Sequence, residues 1–229
     1  MVAFPAEAPH ADRHGELQYV LRAHVAPGYV AAVDLLTRLD FKSDFASDVC
    51  VRRAGVDPQT GKRYLEELAF EVVSEQTEQE VSEKVPRMHH RGIRRIFAIF
   101  VKSQQVCEWS PTGQGSWRPL GHDSRIEDTC LALPVVVTAL LDAATADDAV
   151  IEALAAKDNP ALRRREAAAR SEGETKGMAM SILRVLEMRG IAVSPDQRRE
   201  ILSCADLDRL DRWVSRGALA ASADEVLQD

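Results

Sequence analysis

The sequence lacks, first of all, a long apolar run. Its longest charge-free stretch, Thr129 to Leu141, is too short to cross a bilayer and is interrupted by Pro134. Met1 to His10 has no basic start leading into an apolar segment, so no signal peptide is expected. The expected location is therefore the cytoplasm, with no membrane partner. Paired cysteines are missing too. Cys50, Cys107, Cys130 and Cys204 lie far apart and form no C-x-x-C pair, so no zinc site is expected. Three of them sit inside apolar segments, where cysteine acts as a small hydrophobe. The third absence is positive charge. A formal net charge of −7 argues against a general nucleic-acid coat, whose footprint is basic. It is compatible with carboxylates gathered around a metal ion, and with a local basic stripe that holds phosphate.

What is present is an ordinary folded composition, 45% hydrophobic and 28% charged, which excludes global disorder. A chain of 229 residues can bury one core, or one core and a small appendage. Residues 1–26 show weak periodicity, and the first dozen are expected to be loose. Pro27 to Leu39 reads as a helix, with Val30, Val33, Leu36 and Leu39 at helical spacing and Pro27 in an acceptable first-turn position. Ser47 to Arg53 reads as a strand. The turn residues of Ala54 to Lys62 then reverse the chain into a second, antiparallel strand, Arg63 to Val73. Thr77 and Glu80 have the form of a capping box for a helix to about His90, with Pro86 inside it and Gly92 ending it. Arg95 to Val101 and Gln105 to Trp109 are two more strands, and Trp109 and Trp117 flank a turn of hairpin character. The order strand, strand, helix, strand, strand implies a mixed sheet with a crossover helix.

From about Leu133 the pattern is helical alone. Thr145 to Asp148 has capping-box form, Asn159-Pro160 opens a long helix towards Gly190, Ser194 to Gln197 opens another, and Asp206 caps the last. Ile182, Leu183, Leu186, Ile201, Leu202 and Leu210 supply apolar positions for a small bundle. The expected division is residues 1–144 and a helical extension, 145–229.

Three residues carry a chemical signal. Asp48 opens a strand, and Glu71 lies within Ala69-Phe70-Glu71-Val72-Val73, an otherwise apolar strand end. By the period of two, Leu65, Glu67, Ala69, Glu71 and Val73 share one face. A carboxylate among apolar neighbours is costly unless paired or bound to a cation. Lys84 falls on the stripe Val81, Lys84, Val85, Met88, so its ammonium should face the sheet and Glu71. A plainer reading is also open, in which Glu80 and Lys84 form a surface pair at i, i+4. In that case Asp48 binds a loop backbone and Glu71 pairs with an arginine.

Ser47 to Val101 resembles the putative restriction endonuclease family of the PD-(D/E)XK nuclease superfamily. The resemblance rests on Asp48 at a strand start, Glu71-Val72-Val73-Ser74 at the end of the next strand and Lys84 on the following helix. Gly92-Ile93 then leads into Phe97-Ala98-Ile99-Phe100. It extends over roughly residues 20–145. Ser47 stands where the superfamily name has proline. Val73 stands at the usual lysine position, and Lys84 fits the family's relocation of that lysine to the helix. The resemblance implies an α/β, restriction-endonuclease-like mixed sheet flanked by helices, and a metal-dependent endonuclease acting on DNA. It also implies that Asp48, Glu71 and the backbone carbonyl of Val72 hold Mg²⁺ or Mn²⁺. Lys84 would orient the attacking water or balance charge. Cutting both strands would favour a homodimer.

Other signals are weaker. Glu67 is a candidate outer ligand or a surface residue. His89-His90 invites a metal or base reading, although adjacent helical residues do not face one point. Arg91, Arg94, Arg95 and Lys102 form a local basic cluster suited to phosphate or simply to solvent. Arg163-Arg164-Arg165 reads as a solvated face. Two rival functions remain at this level: a nucleic-acid-binding protein that does not cut, and a helix-mediated interaction protein with the sheet as scaffold.

Overall fold

A computed structural model of the chain describes residues 8–40, 43–74, 78–112 and 115–228. The chain separates into two compact units, Met1–Asp158 and Asn159–Asp229. The compositional change near residue 144 precedes that break. Helix α3 (Ala143–Ala156) belongs to the first unit because Ala146 and Ala149 are buried in the main core.

The first unit is a six-stranded sheet in the order β1 (Tyr29–Asp40), β2 (Ser43–Arg53), β3 (Glu66–Val73), β4 (Arg95–Phe100), β5 (Gln105–Ser110), β6 (Ser116–Pro119). Only β3 and β4 are parallel, and α2 (Glu78–Arg91) is the crossover between them. A short antiparallel pair, β7 (Arg125–Ile126) with β8 (Val135–Val136), stands apart. Leu17, Val20 and Leu21 of α1 (Ala8–His24) are buried in the same core as Val49, Val51, Leu68, Phe70 and Val72. On α2, Val81, Val85 and Met88 are buried with Ala69, Val73 and Ala98. Glu71 therefore lies between two residues of the α2-side core.

Three expectations of secondary structure are corrected. Pro27 to Leu39 is not a helix; from Tyr29 onward it is β1, paired antiparallel with β2 from Tyr29↔Arg53 to Asp40↔Ser43. The i, i+3 spacing there was incidental. Val33 and Leu36 are exposed, while Tyr29 and Ala31, two apart, pack on the core. Pairing with β2 satisfies the backbone of a segment whose side chains would have given a helix no buried stripe. In the other direction, the weakly periodic N-terminal segment is helical from Ala8 and anchors itself through Leu17, Val20 and Leu21. The segment after Leu133 is also not helical throughout, since Val135–Val136 completes the small β pair.

The other strands form where expected. Helix α2 runs through Pro86, and Gly92 ends it at φ +111°, a conformation costly for residues with a Cβ. Thr77, the expected cap, lies outside the described residues. At α3 the cap is Asp142, whose carboxylate accepts from the Thr145 amide at 2.8 Å, so Thr145 sits inside the helix and does not cap it. Trp109 and Trp117 face each other across the β5–β6 hairpin, and the Trp117 indole donates to Ser82 Oγ at 2.9 Å.

The second unit comprises α4 (Pro160–Met188), α5 (Pro195–Ser203), α6 (Leu207–Gly217) and α7 (Ala223–Leu227). Asn159, Ser194 and Asp206 cap the first three through side-chain oxygens, and Ser194 and Gln197 complete a capping box. Ile182, Leu183, Leu186, Ile201, Leu210 and Trp213 form its core, whereas Leu202 is exposed. Among the described residues, no helix is long and apolar enough to cross a membrane.

Candidate active site

The centre of the sheet brings Asp48, Glu71 and Lys84 together. Val49 pairs with Phe70 across β2 and β3, so the next residues outward, Asp48 and Glu71, come from adjoining strands. Asp48 Oδ2 accepts from the Val72 amide at 2.6 Å, which fixes the carboxylate against β3. Lys84 shares its helix face with Val81, Val85 and Met88. Once those three are buried, its ammonium is directed at the sheet. Lys84 Nζ donates to Glu71 Oε2 at 2.6 Å and to the Ala46 carbonyl at 2.9 Å, and lies 5.8 Å from the centre of the Phe45 ring. Val73, at the usual lysine position, is buried among apolar side chains, and the cation is supplied by α2 instead.

Glu71 is only 2% exposed. Burial pushes its carboxyl up to about 7 from the ordinary 4.5, and the Asp48 charge adds to this while Lys84 opposes it. One of its oxygens, Oε1, is buried without a hydrogen-bond partner among the described residues. For Asp48 the balance runs the other way. Burial works to raise its pKa, but the His14 imidazole 3.3 Å away and the hydrogen bond from the Val72 amide outweigh it and hold the carboxyl low. Two inward carboxylates, one with an unused oxygen, fit a hard divalent cation, for which such oxygens are the preferred ligands. Val72 enters this arrangement through its amide, and its carbonyl was the ligand expected from the sequence.

Two residues of this cluster were not singled out from the sequence. His14 of α1 places Nε2 at 3.3 Å from Asp48 Oδ2 and Nδ1 at 3.9 Å from Asp34 Oδ1. His14, Asp34 and Asp48 together form a group able to hold a metal ion. The neighbouring Asp48 carboxylate raises the His14 pKa, against the effect of burial. A signal was present: His14, Leu17, Leu21 and His24 recur at helical spacing, although Gly15 and nearby polar residues obscure the stripe. Asp34 had none. It adopts φ +49° within β1, a left-handed conformation that aspartate tolerates better than most residues.

The remaining candidates are engaged elsewhere. Glu67 pairs with Arg94 at 2.9 Å, and Arg94 also reaches Asp128 at 2.6 Å. Arg95 is held by Glu108 at 2.7 Å and Asp128 at 3.2 Å. Two arginines of the basic cluster therefore serve an internal ion-pair network. His89 lies 3.2 Å from the Ile93 carbonyl and packs on Trp109. Arg163, Arg164 and Arg165 are exposed on α4.

This is an α/β fold of the restriction-endonuclease-like kind, with a mixed sheet carrying paired carboxylates and a helix-borne lysine. The chain belongs to the Uma2 family of putative restriction endonucleases, whose family model matches residues 1–142. No curated protein matches the chain. Among solved structures it is similar to a putative nuclease belonging to DUF820 from Anabaena variabilis ATCC 29413. The TM-score is 0.50 at 14% sequence identity, over 62% of this chain and 84% of that one. At that identity the likeness concerns the fold.

Proposed function

We propose that this protein is an endonuclease that hydrolyses DNA phosphodiester bonds with a divalent metal ion, Mg²⁺ or Mn²⁺, held by Asp48 and Glu71. The observation that carries the reading is Glu71 itself: a buried carboxylate with one oxygen on Lys84 and the other without a partner among the described residues. Membership of the Uma2 family supports the same reaction class.

A divalent ion bound there would supply Lewis acidity at the scissile phosphate and a more acidic water. The protein's own groups have separate tasks. The Val72 amide fixes Asp48 in one orientation, so that carboxylate needs little reorganisation to bind a cation. The Lys84 ammonium opposes the protonation of Glu71 that burial favours, which keeps an anionic ligand available near neutral pH. Placed beside the cluster, the same ammonium can balance negative charge that develops on the phosphate or orient the attacking water. The Val72 carbonyl completes the proposed ligand set. Cutting both strands of a duplex calls for two such sites, and a homodimer is the simplest way to supply them.

The test is cleavage of supercoiled plasmid with Mg²⁺ or Mn²⁺ by wild type and by Glu71→Gln. Nicking or linearisation by wild type that falls at least about 100-fold in the variant is expected, the scale on which loss of one transition-state-stabilising group is felt. No cleavage by folded wild type with either metal would replace the proposal with a protein that binds nucleic acid without cutting it. Equal cleavage by both would place the site elsewhere.

A further inference from the structure

His14 lies between two carboxylates, and its ring is only 12% exposed. Asp48 faces one ring nitrogen and Asp34 the other. One ligand-capable atom from each of the three residues lies within 4.8 Å of the other two. Glu71, 2% exposed and with an Oε1 that has no hydrogen-bond partner among the described residues, stands outside that group, and its charge raises the His14 pKa. Leu17 and Leu21, buried on the same helix, hold α1 against the sheet and so limit where the imidazole can go.

A donor set of this kind mixes carboxylate oxygens with one imidazole nitrogen. Mg²⁺ favours oxygen ligands and retains its waters, whereas imidazole suits first-row transition ions. We propose that His14 supplies a nitrogen ligand, and Asp34 a further carboxylate, to the divalent ion that Asp48 holds. The nitrogen makes the centre select a transition ion such as Mn²⁺ over Mg²⁺. This rests on the reading that Asp48 and Glu71 hold a divalent ion, and it adds both a ligand and a preference.

A simpler role for His14 is to donate a hydrogen bond to Asp48 and orient it. The two roles differ in one observable, because a mere donor puts no nitrogen in the coordination shell.

The experiment is titration of Mn²⁺ into the full chain without DNA. Free ion is followed by electron paramagnetic resonance, and pulsed spectra of the loaded protein are read for nitrogen-14 coupling. Wild type should show the coupling, and His14→Gln should lose it. The variant should bind Mn²⁺ at least about tenfold more weakly, since even outer partners of a ligand are worth that much. Less Mg²⁺ should then be needed to displace Mn²⁺.

If wild type binds Mn²⁺, and Asp48→Asn abolishes binding, yet no nitrogen coupling is seen, the His14 assignment is overturned while the Asp48–Glu71 site stands. That outcome needs no His14 variant, so a folding defect in His14→Gln cannot obscure it. Mn²⁺ binding that is absent from wild type, or unchanged in folded Asp48→Asn, overturns both readings.

Discussion

Lys84 of α2 and Glu71 of β3 meet at 2.6 Å with Glu71 almost wholly buried, so the ammonium in contact with this carboxylate comes from the helix that crosses over the sheet. The pair is incomplete as an ion pair, because Glu71 retains an oxygen with no donor among the described residues. A carboxylate in that position favours its protonated form unless more positive charge arrives.

That relationship predicts how stability depends on pH. Glu71 titrates at about 7 in the folded chain against an ordinary 4.5. Between those values the native state holds a proton that the unfolded chain has released. Stability contributed by Glu71 is then present below about 4.5, declines as pH rises towards 7, and stays lost above it. Each unit of displacement corresponds to about 1.4 kcal/mol. In metal-free buffer, wild type should lose stability relative to Glu71→Gln as pH climbs through this window. Thermal melts of both proteins from pH 4 to 8 check it, and parallel curves would show that Glu71 is not raised.

The ion-pair network around Asp128 predicts the opposite dependence. Its carboxylate accepts from Arg94, Arg95 and the Cys130 amide. Burial alone would raise its pKa, but those bonds hold it far below the ordinary 3.8. Its contribution should be intact above about pH 4 and lost as the solution becomes more acid. Asp128→Asn should cost about 2 kcal/mol at pH 7, the scale of hydrogen bonds to a charged group. The deficit should shrink in acid. Urea unfolding at pH 7 and pH 3 measures both, and an equal deficit at the two would refute the assignment.

In the helical unit the test falls on Trp213. It is fully buried among Leu186, Ile201, Leu210 and Val226, with the Arg209 guanidinium 4.6 Å from the ring centre. Trp213→Ala should cost about 3–5 kcal/mol, as large-to-small core substitutions do. A core this small has little stability in reserve. We expect residues 159–229 to become susceptible to limited proteolysis, with reduced helical circular dichroism, while the sheet unit resists. Unchanged proteolysis would mean that the bundle tolerates the cavity.

Local signals determined much of this protein. The strands from Ser47 to Arg53 and around Ala69 to Val73, the crossover helix, and the caps at Asn159, Ser194 and Asp206 were legible because periodicity and capping are properties of short segments. So was the pairing of Lys84 with Glu71, since a lysine on an apolar stripe has to find a buried anion. Tertiary structure decided the rest. Val30, Val33, Leu36 and Leu39 carry a helical spacing, yet pairing with β2 made that segment an edge strand, because backbone partners across a sheet outweigh a stripe with nothing to cover. His14 joined Asp48 only through the packing of Leu17, Val20 and Leu21, which docks α1 on a sheet formed by residues much further along the chain. Asp34 entered the cluster through one left-handed residue in β1. A contact between residues far apart in sequence depends on how separate elements pack, and no single segment contains that information.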